Sequence, residues 1–159
     1  MIKYFKGLSD EEIDKLKDAI SLITVYIAGA DGDIEEDELE WAKKIADIRS
    51  YSLKDGLEEF YEEVEADFAE RVQKYVERLS DLETRNSTVE NRLTELNPIL
   101  AKIEPKMGAL LYSSYVSFAE HVAKATGGFL GFFSIGPEEK ALLDLKMLTP
   151  IVYVPEEDE

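Results

Sequence analysis

Residues 9–48 read SDEEIDKLKDAISLITVYIAGADGDIEEDELEWAKKIADI, and this stretch decides the fold class. Its first half places apolar residues three and four apart, which is the spacing of one helix face: Ile13, Leu16, Ile20, Ile23 and Ile27. Ser9, followed three residues later by Glu12, forms the capping-box pattern that begins a helix. Gly29 and Gly32 are predicted to end this helix.

The same periodicity continues through the middle of the chain. A second helix is predicted from about residues 33–36, with one apolar face: Leu39, Ala42, Ile45, Ala46 and Ile48. A third begins near Ser52 and contains no glycine or proline after Gly56, so its apolar stripe predicts one long helix reaching Leu82. The Asn-Ser pair at 86–87 is predicted to break the chain and cap a fourth helix.

Prolines divide the last third of the chain. Pro98 is expected to kink or divide the fourth helix, because proline lacks the amide hydrogen that a helix interior requires. Pro105 precedes a markedly apolar helix over about 107–125, which is the expected central and most buried element. Pro137 is predicted to open a final helix that ends at Leu148.

No stretch of useful length alternates with a period of two, so strands are not predicted. The sequence therefore predicts a single all-α domain over residues 1–150, a compact bundle of about six or seven helices with long middle helices. Residues 151–159 are predicted to form a short acidic tail.

Composition excludes several classes of partner. The 159 residues include 18 Lys or Arg and 35 Asp or Glu, a net charge of −17 that nucleic-acid phosphates and anionic membranes repel. Hydrophobic residues make up 45% of the chain, enough for a core and too many for disorder. The absence of cysteine excludes thiolate sites, and a single histidine excludes multi-histidine metal sites. With neither an apolar signal core nor a run near the roughly 20 residues that span a bilayer, a cytoplasmic location is expected.

The acidic residues concentrate in one place. Residues 31–40 read DGDIEEDELE, seven acids in ten positions with no lysine or arginine among them. One interpretation is helix capping, in which acids at a helix start face the positive end of the helix dipole. The other is a hard divalent cation, Ca²⁺ or Mg²⁺, because Gly32, Ile34 and Glu38 match the second half of an EF-hand loop. The first two carboxylate positions of such a loop fall on Ile27 and Gly29, so only half of the loop is present.

The segment IAGADGDIEEDELEWAKKIA (27–46) resembles the acidic helix–turn–helix motif of the TerB-like domain, the bacterial tellurite-resistance family. The resemblance takes in an acidic motif at 28–40 and a second copy at 118–148, where Glu139 follows Ile135 as Glu38 follows Ile34. The second copy departs from the family pattern, because a glycine and phenylalanine loop without Asp replaces the Asp-Gly-Asp of the first. We refer to this segment, residues 127–134, as the Gly/Phe loop.

The resemblance implies a TerB-like fold and a non-catalytic protein of tellurite or stress response that binds a divalent cation. The implied ligands are four residues of the first motif and one of the second: Asp31, Asp33, Glu35, Glu38 and Glu139. The alternative is a protein-interaction scaffold without metal, which docks an unidentified protein partner through the Gly/Phe loop or a groove between helices. In that case the contact residues are expected in the loop: Phe129, Phe132 and Phe133.

Other chemistry finds less support in the sequence. His121 follows Glu120 on the apolar helix, but a di-iron bundle needs two E-x-x-H motifs, so His121 is expected to be a core or rim residue. The sequence contains neither a phosphate-binding loop nor a recognisable nucleophile–base pair, so an enzyme is not predicted. The long aromatic stripe over 57–82 is compatible with a coiled-coil-like homodimer, although core packing is the expected role.

Overall fold

Six helices account for most of the described chain. The computed structural model describes residues 5–30, 34, 36–52, 56–126 and 142–153, apart from the side chains of residues 51, 52, 125 and 126. The helices are α1 (Asp10–Ala28), α2 (Glu36–Ser52), α3 (Glu58–Arg78), α4 (Leu82–Thr94), α5 (Leu96–Leu100) and α6 (Pro105–Thr126). These residues contain no β-strand, which confirms the all-α prediction. The total of six or seven helices stays a prediction, since residues 127–141 lie outside the described chain.

Helix α1 is the central element of the bundle. Twelve of its nineteen residues are buried, and it contacts each of the other five helices. The predicted capping box is confirmed: the Glu12 amide donates to the Ser9 hydroxyl, and the Ser9 amide donates to the Glu12 carboxylate. The expectation that the apolar helix near 107–125 would be the most buried was wrong. Helix α6 packs on α1 and α2 from one side, whereas α1 is enclosed by its neighbours.

Aromatic side chains join α3 and α6 at the core. The rings of Phe5 and Phe60 meet edge to face, as do those of Phe60 and Tyr61, and Tyr61 stacks on Phe118 with centroids 6.4 Å apart. Such pairs add roughly 0.5–1.5 kcal/mol beyond the burial of their surface. The aromatic stripe of the third predicted helix therefore serves the core, as expected.

The long third helix ends earlier than predicted. Helix α3 stops at Arg78, and Asp81 caps α4 by accepting a hydrogen bond from the Thr84 amide at 2.9 Å. The predicted break at 86–87 lies inside α4. Glycine and proline are the usual sequence signals of a helix boundary, whereas an aspartate side chain that satisfies free backbone amides marks this one.

Proline positions fit the observed helix starts. Pro105 is the first residue of α6, where its missing amide hydrogen has no helical partner to lose. Pro98 is the third residue of α5, so the chain divides ahead of it, between Thr94 and Leu96.

The predicted end of the final helix at Leu148 was wrong. Leu142 is helical, residues 143–148 are irregular, and Leu145 has a positive φ of 44° that a continuous helix does not allow. The Asn97 side chain holds this segment: its amide donates to the Met147 carbonyl, and its oxygen accepts from the Thr149 amide. The predicted start at Pro137 lies outside the described residues.

Within the described ranges, no helix is both long enough and apolar enough to span a membrane.

Candidate functional site

The acidic motif begins where α1 ends and continues into the first turn of α2. Of its predicted ligands, the structure describes Glu38, which is half-buried on α2. Asp31, Asp33, Glu35 and Glu139 lie outside the described residues, so the predicted ligand set stays a prediction.

The structure describes two parts of this motif. The Ile34 side chain is partly buried against the core. The first turn of α2 contains three acids, Glu36, Asp37 and Glu38. Acids in a first turn are favoured by the positive end of the helix dipole, so capping accounts for part of this charge.

A buried arginine fixes the entry to the motif. The side chain of Arg85 is 2% exposed and donates to the Gly29 carbonyl at 2.8 Å and to the Leu79 carbonyl at 3.1 Å. These are the C-cap residues of α1 and α3, whose last carbonyls have no partner within their own helices. One guanidinium group therefore terminates two helices, one of which leads directly into the acidic motif.

Gly29 is required by this arrangement. A Cβ atom at Gly29 would lie 2.6 Å from Nη2 of Arg85 and 2.8 Å from the Val25 carbonyl oxygen, closer than real contacts allow. The buried position of Arg85 was not predicted, although the sequence contains a signal for it. Arg85 occupies the same helical register as Val89 and Leu93, which are fully buried, so a charge sits at a core position.

No metal site can be assembled from the described part of the chain alone. Within it, no group of three or more His, Asp or Glu side chains is placed to hold an ion. A cation at the acidic motif would therefore depend on the residues at 31–35.

A second polar cluster joins α2, α3 and α6. The Arg49 side chain is 6% exposed, and its Nη1 donates to the Tyr61 hydroxyl at 3.0 Å and to the carbonyl and hydroxyl of Ser114. Its Nη2 donates to the Ser117 hydroxyl at 3.0 Å and lies 2.8 Å from Nδ1 of His121. The guanidinium carbon also lies 5.3 Å from the centre of the Tyr61 ring. We refer to these five residues as the Arg49 cluster.

His121 takes a rim position, as predicted. Its residue is exposed on α6, while Nδ1 faces Arg49. Partial burial lowers the pKa of His121 below its ordinary value, the charges of Arg49 and Lys124 lower it further, and Glu120 opposes them. Burial and the charges of Arg49 and Lys124 therefore each disfavour the protonated imidazole.

A third polar network ties α1 to α3. Arg71 donates to Asp14 at 2.5 Å, to Asp18 at 3.1 Å and to Asp67 at 2.9 Å. Burial alone would lower the pKa of Arg71, but the hydrogen bonds to these three carboxylates raise it above its ordinary value. Tyr75 also donates to Asp18, so this carboxylate is held from two sides.

Two open cavities follow the seam between α1 and α4. The first is about 320 Å³ and is lined by Lys15, Asp18, Leu22, Arg92 and Glu95. The second is about 380 Å³ and is lined by Tyr26, Glu90, Leu142, Lys146 and Met147. Their polar groups already bind one another: Lys15 pairs with Glu95 at 3.4 Å, and the Tyr26 hydroxyl donates to Glu90 at 2.7 Å. These side chains are arranged to join helices rather than to converge on a small ligand.

Exposed aromatic side chains could provide a contact surface for a partner protein. Trp41 is 48% exposed on α2, with the Lys44 ammonium 5.5 Å from its ring centre. The predicted partner-binding residues Phe129, Phe132 and Phe133 lie outside the described residues.

Comparison of the chain with protein-family models, with curated proteins and with solved structures gives no match.

Proposed function

We propose that this protein is a non-catalytic, TerB-like helical module that binds a divalent cation, Ca²⁺ or Mg²⁺, at its acidic motif. The observation that carries the proposal is the density of carboxylates at 31–40, seven in ten residues without a cation among them, at half-EF-hand spacing. The resemblance to TerB-like proteins extends the proposal to a role in tellurite or stress response.

Two further observations support the proposal. Arg85 and Gly29 fix the chain ahead of the motif, and Ile34 within it packs against the core. Seven acids within ten residues of sequence repel one another, and a bound cation would offset that repulsion.

The Arg49 cluster supports a non-catalytic role. In a Ser-His-Asp site the serine hydroxyl gives its proton to a histidine nitrogen. Nδ1 of His121, the only histidine of the chain, is engaged by Arg49 rather than by Ser117.

The experiment is thermal unfolding of the full chain in buffered Ca²⁺ or Mg²⁺, with sodium chloride of equal ionic strength as the reference. A ligand at ten times its Kd stabilises the native state by about 1.4 kcal/mol. For a domain of this size that corresponds to a rise in Tm of roughly 3–6 °C. We expect this rise at millimolar ion for the wild type.

Two variants distinguish cation binding at a specific site from general charge screening as the cause of a rise in Tm. Glu38→Gln removes a predicted ligand and should abolish the rise in Tm. Glu40→Gln removes an equal charge from an exposed neighbour that is not a predicted ligand, and it should retain the rise. No rise in the wild type, or an equal rise in both variants, would refute the cation site and leave capping as the role of these acids.

A further inference from the structure

The contact between Arg49 and His121 is possible in one protonation state alone. Nη2 of Arg49 lies 2.8 Å from Nδ1 of His121. A guanidinium is protonated at every physiological pH and has only donors, so Nδ1 must be the acceptor. The ring is therefore neutral and carries its proton on Nε2. Protonation of Nδ1 would place two donors and two positive charges against each other.

The surroundings of His121 do not offset such a charge. From α2 it faces Arg49; on α6 the charged groups near it are Lys124 and Glu120. From α3 the Tyr61 hydroxyl enters the same cluster and is uncharged. Among the described residues, every hydrogen-bond acceptor of Arg49 is likewise neutral. In the part of the chain that the structure describes, the charged groups near the ring are thus two cations and one carboxylate.

Loss of the contact would loosen α2 from α6 without unfolding the bundle. The His121 residue is exposed, so a protonated ring can turn into solvent. Arg49 would lose one acceptor and keep those on Tyr61, Ser114 and Ser117. Helix α2 is held to the rest of the molecule mainly by α3 and α6, so weakening the α6 side frees one face of it.

We infer that His121 is a pH-sensitive latch, which holds α2 against α6 when neutral and releases it when protonated. The inference stands apart from the proposed cation site, because none of its residues belongs to the acidic motif.

The direction of the pH effect follows from the proton balance. Because the pKa of His121 is lowered in the folded state, the unfolded chain binds the proton more tightly. The stability that the latch contributes is complete above about pH 6.5 and is lost as the pH falls below that value.

The single histidine makes the first test unambiguous. Nitrogen-15 and proton NMR of the full-length wild type should show one imidazole, with the Nε2–H tautomer at neutral pH and a pKa below 6.5. An Nδ1–H tautomer, or a pKa at or above 6.5, would overturn the inference.

The second test uses His121→Gln, whose side-chain oxygen accepts from Arg49 and does not titrate. Between pH 7 and pH 5, the unfolding constant of the wild type should rise several-fold relative to this variant, because the wild type takes up a proton at this position on unfolding and the variant does not. Both proteins contain the same 35 acids, so the effect of these acids on the unfolding constant cancels in the comparison. An equal pH dependence in both would overturn the inference.

The third test locates the release. Hydrogen exchange, corrected for the intrinsic effect of pH, should speed up several-fold in α2 of the wild type at pH 5 relative to α4, and not in His121→Gln. Arg49→Met should raise the pKa of His121 towards 6.5 and remove its tautomer preference. If Arg49→Met does not fold, the wild-type tautomer and the exchange comparison decide the question. Uniform acceleration across all helices would contradict a local latch.

Discussion

Replacing Arg85 by methionine tests whether one buried cation terminates two helices. Methionine keeps an unbranched apolar side chain of similar length, so the substitution removes the two hydrogen bonds to Gly29 and Leu79 and retains most of the packing. Each hydrogen bond from a charged donor contributes about 1.5–3 kcal/mol, and the two carbonyls would be left buried without this donor. Relief from burying a charge offsets part of the loss.

The net loss in free energy of unfolding is expected to be about 2–4 kcal/mol, or roughly 5–15 °C in Tm. Urea unfolding followed by circular dichroism at 222 nm measures it, with an unchanged slope and a lower midpoint. Arg78→Met is the matched control, because it removes the same charge from an exposed site in the last turn of α3. Its cost should stay below about 1 kcal/mol. If the two variants unfold within about 0.5 kcal/mol of each other, the reasoning about Arg85 is refuted.

Three smaller perturbations test neighbouring contacts by the same urea measurement. Gly29→Ala should destabilise by about 1–3 kcal/mol, because its Cβ would meet Arg85; an unchanged midpoint would show that the close approach is relieved at no cost. Tyr26→Phe should lose about 1–2 kcal/mol with the hydrogen bond to Glu90. An unchanged midpoint would show that this hydrogen bond adds nothing to the packing of the ring. Ser9→Ala should cost about 1 kcal/mol through the N-cap of α1, whereas Ser9→Thr should retain most of the stability; equal losses would contradict a capping role.

Periodicity and capping chemistry predicted the parts of the fold that local interactions determine. The stripe from Ile13 to Ile27, the capping box at Ser9 and the helix start at Pro105 all occur as expected. The boundary between α3 and α4 was missed. The stripe remains apolar through Leu79, and two side chains mark its end: Arg85 donates to the Leu79 carbonyl and Asp81 caps α4.

The polar clusters lay beyond sequence reasoning because their partners are far apart in the chain. Arg49 and His121 are separated by 72 positions, and Arg85 and Gly29 by 56. In an acidic chain, arginines on helices are expected on solvated faces, and helix packing alone brings these two inside. The density of acids at 31–40 can be read from the sequence alone, because it does not depend on which residues the fold brings together.

The interior positions of Arg49 and Arg85 also affect how the protein responds to salt. Within the described ranges, Arg49 and Arg85 are buried and no Asp or Glu is, so the charge that this part of the chain presents to solvent is more acidic than its sequence count. Mobile counter-ions screen exposed repulsion strongly and buried contacts weakly. Added salt should therefore weaken the repulsion between exposed carboxylates and leave the buried hydrogen bonds of Arg49 and Arg85 intact. We expect salt to stabilise the fold through its surface and not through these two buried arginines.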